Sequence, residues 1–258
     1  MSFSQQTSPP DYFLAVASGT VKDAQFAVVT GSNNDLDAVS SPEDLIPGGG
    51  FYSWLSVATA LSITSLNVED TAAGTGARTV LVAGLDARYL PISEVVVMNG
   101  TTPVPLTRTY LRVNSMRVVT AGSATTNVGD IIVHTTVGAN MVSQISPGYG
   151  RSQVGIYTVP ATHNGFLLDG FFSITVGTSS ENVTFTIFSR AYGQAFFARS
   201  VASCSAGTPT LVLQPRATAP LSPGSDLFIR ISSSSAANMQ MHATMSILLT
   251  LSNAPLLI

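Results

Sequence analysis

The chain has 258 residues, of which 45% are hydrophobic and only 10% charged, with a net charge of −3. Soluble domains average about 25% charged residues, so this composition argues against a freely diffusing monomer and for a surface covered by other copies or partners. The basic residues are scattered arginines plus Lys22, which excludes a basic stripe and argues against direct nucleic-acid binding.

Residues 1–10 are polar and end in Pro9-Pro10, a pattern for an extended docking arm rather than a core element. Segments 12–17 and 25–30 read as short strands. Gly31, Ser32, Asn33, Asn34 and Asp35 form a turn cluster. Residues 40–44 read as the capped start of one helical turn, which Pro47 and the run Gly48-Gly49-Gly50 end at once. That glycine run lacks the Lys-Ser/Thr of a phosphate loop and reads as a flexible turn. Asn33, Asp35, Asp37 and Glu43 offer alternating oxygens, but without the glycine and terminal glutamate of a calcium loop they read as a hydrogen-bonded turn. Trp54, the single tryptophan, follows as a core anchor rather than a ligand platform.

Residues 61–68 read as a strand leading into a β-meander over 74–133. Its strands are expected at 78–85, 92–98, 109–119 and 131–133, with Asn99-Gly100 as a type I′ hairpin turn in which both residues have positive φ. A second unit begins near Pro147-Gly148, with strands at 154–160, 165–176, 183–189, 211–214, 226–232 and 239–251. Alternation is clearest where Val183, Phe185 and Ile187 share one face. The apolar residues 255–258 read as a tail tucked into the fold or a neighbour. No stretch has a sustained helical period, and Gly or Pro recurs at short intervals. The expected class is all-β: two jelly-roll-like β-sandwich domains with an extended N-terminal arm. The arm and first strands occupy 1–30, and the sandwiches 31–147 and 148–258.

Chemistry is sparse. Cys204 is the single cysteine, so neither an internal disulfide nor a cysteine metal site can form. His134, His163 and His242 lie in no metal-ligand pattern, and no Gly-x-Ser-x-Gly elbow is present. Asp86, Glu94, Asp130, Asp169, Glu181 and Asp226 are dispersed, and nothing selects a glycosidase pair from them. The expectation is a non-enzymatic protein with no catalytic residues, metal or cofactor. Aromatics on loops of the second unit, Tyr149, Tyr192, Phe196 and Phe197, are the candidate binding residues. No apolar run reaches the roughly 18 residues of a membrane helix. The first residues lack the features of a signal peptide, so synthesis in the cytosol and no membrane partner are expected.

A set of motifs in fixed order carries a resemblance. They are Ser32-Asn33-Asn34-Asp35-Leu36-Asp37, then Pro42-Glu43-Asp44-Leu45-Ile46-Pro47-Gly48-Gly49-Gly50-Phe51-Tyr52, then Ala73-Gly74-Thr75-Gly76-Ala77-Arg78-Thr79-Val80. Gly84-Leu85-Asp86-Ala87, Ser93-Glu94-Val95, Met98-Asn99-Gly100-Thr101-Thr102-Pro103-Val104, Tyr110-Leu111-Arg112-Val113, Ala121-Gly122-Ser123 and Asn127-Val128-Gly129-Asp130-Ile131 continue it. Over about residues 30–170 the chain resembles a family of poorly characterised virion proteins of tailed phages, many from aquatic and cyanobacterial hosts. It departs from the family at Gly31-Ser32-Asn33, where the family carries Gly-Arg-Asn. The resemblance implies a virion component, made in the host bacterial cytoplasm. A capsid-associated cement or decoration protein, or a neck component, is expected. Its partners would be other virion proteins, the major capsid protein or neck proteins, and further copies of itself in a homo-oligomer, with a trimer expected. The alternatives are a tail or head fibre, or a receptor- or glycan-binding adhesin, and then a depolymerase.

Overall fold

The computed structural model describes residues 11–37, 41–136, 140–175, 178, 180–214 and 220–253. The expected arm at 1–10 and the apolar tail at 255–258 lie outside the described residues. Among the described residues the protein is all-β: sixteen strands in four antiparallel sheets, with one six-residue helix, α1 (Tyr12–Ala17). No helix there is long and apolar enough to cross a membrane.

Two sheets share the larger core. In the first, β1 (Ala24–Leu36) pairs with β16 (Met239–Leu251), β16 with β11 (His163–Thr175), and β11 with β14 (Thr210–Leu213). In the second, β10 (Ile156–Thr158) and the two-residue β2 (Glu43–Asp44) line one edge of β15 (Asp226–Ser234). Its other edge takes β12 (Asn182–Arg190), which is followed by β13 (Phe197–Ser205). Side chains alternate across a strand, and β16 shows why it is central. Met239, Met241, Ala243, Met245, Ile247 and Leu249 all point inward, where they meet Phe172 from β11, Phe185 from β12 and Ile229 and Ile231 from β15. Cys204 is buried in the same core.

The other two sheets share a second core. One runs β6 (Val104–Tyr110), β3 (Thr59–Ser65), β8 (Ile131–Thr135), β9 (Met141–Ile145), in that order. The other runs β5 (Pro91–Val97), β4 (Ala77–Leu85), β7 (Arg112–Ala121). Leu61, Ile63, Val80, Val82, Met116, Ile131 and Val133 fill the space between them. Glu94 on β5 ties the two sheets at their edge. Its carboxylate accepts from the Thr107 hydroxyl and amide, the Arg108 amide and the Tyr110 hydroxyl on β6. Burial pushes its pKa up, but these hydrogen bonds prevail and hold it below the usual glutamate range.

Several sequence expectations are corrected. Residues 12–17 form a helix rather than a strand, because the Asp11 side chain caps it by accepting from the Phe13 amide. The expected turn at 31–35 is the end of β1. Gly31 is there for close approach, since a Cβ would sit 2.8 Å from the Gly155 Cα. The helical turn expected at 40–44 is instead β2 where it is described, because the backbone of Glu43 and Asp44 completes the open edge of β15. The domain boundaries shift as well. Residues 24–36 and 43–44, assigned to the arm and to the 31–147 domain, pair with β16 and β15, so they join the C-terminal strands. Residues 59–145 therefore form an insertion between β2 and β10.

The meander also fails. β4 pairs with β5 and β7, while β6 crosses to the facing sheet and pairs with β3. Hence Asn99-Gly100 is not a type I′ hairpin turn. It is a link between sheets, closed by the Thr102 amide donating to the Asn99 carbonyl at 3.1 Å. Of the two residues only Gly100 has positive φ, at 58°. A Cβ there would meet the Val68 backbone at 3.2 Å. Gly100→Val is therefore expected to destabilise the protein by more than about 1 kcal/mol. A thermal melt that matches the parent protein would refute this.

Candidate functional site

Three arginines each follow an apolar strand segment: Tyr110-Leu111-Arg112, Ile187-Phe188-Ser189-Arg190 and Leu227-Phe228-Ile229-Arg230. They meet on the face of β15 that points away from the larger core. Asp226, at the start of β15, is the register partner of Thr158 on β10 and of Arg190 on β12. Partners opposite one another share a face, so both side chains reach it. The Thr158 hydroxyl donates to Asp226 Oδ1 at 2.6 Å, and Arg190 Nε donates to Oδ2 at 2.8 Å. Arg112 arrives from β7, in the other pair of sheets, and grips the same carboxylate with two parallel bonds, Nε to Oδ1 at 3.0 Å and Nη2 to Oδ2 at 3.1 Å. Its Nη1 donates to the carbonyls of Leu55 and Leu111. Arg112 is 3% exposed and Asp226 2%, so this bidentate pair is dry. Burial alone would lower the pKa of Arg112, yet the bonds to Asp226 raise it.

The same pairing logic sets the third arginine. Arg230 and Asp44 are register partners across β15 and β2, and Arg230 Nε donates to Asp44 Oδ1 at 2.7 Å. The other oxygen of Asp44 accepts from the Tyr52 amide at 2.9 Å, which draws the segment after the glycine run over the sheet. Gly48, Gly49 and Gly50 all have positive φ, which lets the chain reverse there. Trp54 is thereby laid against Phe228 (5.9 Å), Tyr52 (4.9 Å) and Phe196 (5.3 Å), measured between ring centroids.

Guanidinium groups and rings alternate. Arg112 lies 5.0 Å and Arg190 5.1 Å from the Trp54 ring, Arg190 4.2 Å from Phe196, and Arg230 4.8 Å from both Phe51 and Phe228. Tyr89, from the turn between β4 and β5, meets Tyr192, from the turn between β12 and β13, edge to face at 5.4 Å. Burial pushes the Tyr52 hydroxyl well up and raises that of Tyr89, in both against the pull of Arg112.

Of the four aromatics predicted from sequence, the structure brings Tyr192 and Phe196 to this junction. Phe197 follows on β13, exposed, with Arg199 over its ring at 5.7 Å. Tyr149 is exposed elsewhere, beside a cleft lined by Thr30, Arg151 and His242. The arginines and Asp226 were not anticipated, although a charged residue set directly against an apolar strand segment is a visible signal for a buried pair. Among the described residues no group of three His, Cys, Asp or Glu side chains could hold a metal ion. Around Asn33, Glu43 accepts from the Asn33 side chain and the Asp37 amide, a hydrogen-bonded network.

No protein-family model matches the chain, and no curated protein matches it. Among solved structures, the chain is similar to the structure of the infectious bursal disease virus Gx strain. The identity is 12%, with 90% of this chain and 73% of that chain covered, at a TM-score of 0.25. It is also similar to the crystal structure of the infectious bursal disease virus VP2 subviral particle, at 10% identity, 96% and 75% coverage and a TM-score of 0.21. Likeness at these scores fixes neither the fold nor a role for this chain.

Proposed function

We propose that this chain is a non-enzymatic structural component of a tailed-phage virion, with its two sheet pairs acting as jelly-roll-like sandwiches. On this reading it cements or decorates the capsid, or sits at the neck, and contacts the major capsid protein or neck proteins together with further copies of itself. The observation that carries the reading is a surface poor in charge and bearing apolar residues on flat β-structure. Val95 and Val97 on β5 and Val119 on β7 are all exposed on the outer side of one sheet, and Val201 on β13 and Val212 on β14 are exposed as well. Such faces gain stability when covered. The ordered motifs over 30–170 agree with this reading. The aromatic and arginine junction favours a second reading, a fibre or receptor-binding adhesin.

Sedimentation of the purified chain is expected to show an oligomer at micromolar concentration, a trimer on this reading. A Val95→Asp, Val97→Asp double variant should shift it to smaller species with the melting temperature kept. Imaging of particles should place the protein on the capsid or neck. A monomer that is absent from particles would refute the reading.

A further inference from the structure

Three guanidiniums face two carboxylates at the junction, so one positive charge is in surplus. The geometry says where it resides. Both oxygens of Asp226 are occupied, and every nitrogen of Arg112 is bonded. Arg230 has Asp44 to itself. Arg190 shares a carboxylate already neutralised by Arg112, and its side chain is 27% exposed. Its Nη1 has no hydrogen-bond partner among the described residues. Nor has the indole N–H of half-buried Trp54 or the hydroxyl of Tyr192, which is 45% exposed. No buried side-chain nitrogen or oxygen among the described residues lacks a partner, so the Arg190 and Trp54 donors open to solvent, and Tyr192 is itself exposed.

We infer that the junction is a binding site for a carboxylated sugar, with Arg190 holding the carboxylate and Trp54 and Tyr192 donating to oxygens around it. The chemistry is selective. Unpartnered donors beside a surplus cation call for an anionic ligand rich in acceptors. The exposed face of Tyr192 offers an apolar wall for a ring, with specificity left to a few polar groups. An acidic peptide side chain would meet the guanidinium but would leave the other two donors unused. The inference does not depend on where in a particle the chain sits, so it can fail while the virion reading stands, and the reverse.

Trp54 is the only tryptophan, so the tryptophan emission of the full chain reports on this site alone. The experiment titrates the protein with short oligogalacturonate, oligoglucuronate and sialyllactose, and in parallel with methyl-esterified oligogalacturonate and polyglutamate. A saturable change with at least one carboxylated sugar is expected, with the neutral ester and polyglutamate at least about tenfold weaker. Arg190→Gln should weaken binding by a similar factor. Because that variant also removes a partner of Asp226, Tyr192→Ala serves as the second probe; it should weaken binding severalfold while the melting temperature falls by no more than a few degrees, for the loss of one edge-to-face contact with Tyr89. No saturable change with any of the three sugars, an equal response to the ester, tighter binding of polyglutamate, or full affinity in Tyr192→Ala would each overturn the inference.

Discussion

Asp226→Ala is expected to lower stability by about 3–5 kcal/mol, because it leaves Arg112 charged, dry and without its carboxylate. Domains are typically stable by about 5–15 kcal/mol, so the loss would be a large share of the total. Asp44 cannot take its place, since it is engaged by Arg230 and the Tyr52 amide. Thr158 would lose its acceptor as well. Asp226→Asn keeps one acceptor oxygen and should cost less. The check is urea unfolding of both variants together with the Arg112→Ala, Asp226→Ala double variant. The double variant should lose less than the sum of the two single losses, because the groups form one network. Additive losses, or a loss below about 1 kcal/mol for Asp226→Ala, would show that the pair does not join the two sheet pairs.

Asp70→Ala is expected to be of similar severity, for a different reason. Asp70 is fully buried and makes no ion pair among the described residues. Its Oδ1 accepts from the amides of Ala77 and Val128, and its Oδ2 from the Ser65 hydroxyl and the Gly129 amide. Its own carbonyl accepts from the Gly100 amide. One side chain thus holds the end of β3, the start of β4 and the approach to β8. Alanine would orphan three amides at about 1–3 kcal/mol each, so the expected loss is at least about 3 kcal/mol. Hydrogen exchange should speed up first at Ala77, Val128 and Gly129. Unchanged exchange at those amides would refute this role.

What could be read from the sequence follows from the range of the signals. β16 and β12 were legible because an inward apolar residue recurs at every second position, a pattern written within one strand. Turn chemistry misled at Gly31, where the glycine that heads a polar cluster serves close packing against Gly155. β13 was missed because Phe197, Ala198, Val201 and Ser203 are exposed on a strand that pairs through its backbone to β12. The pairing of Ala24 with Thr250 could not be read, since nothing near Ala24 encodes a partner so far along the chain. At the site, Tyr192 and Phe196 were legible as loop aromatics. Arg112 and Asp226 were not, because each is explained only by the other.

The insertion of residues 59–145 between β2 and β10 has a consequence for the order of events on the ribosome. Synthesis is vectorial, so β1 emerges early while its ladder partner, β16, emerges last. Among the described residues the ladders of the inserted strands run among themselves, apart from a single bridge from Arg117 on β7 to Arg151, so they can fold as soon as they are made, before the larger core exists. Once folded, they hold residues 59 and 145 at a fixed separation, about one strand length apart across β3, β8 and β9, and so shorten the effective loop that the β1–β16 ladder must close, which lowers its entropic cost. Until then β1 carries an open edge, the kind of surface that pairs with the wrong chain. The central unit therefore acts as a folding template for the strands on either side of it, and damage to its own core would slow assembly of a ladder it does not touch.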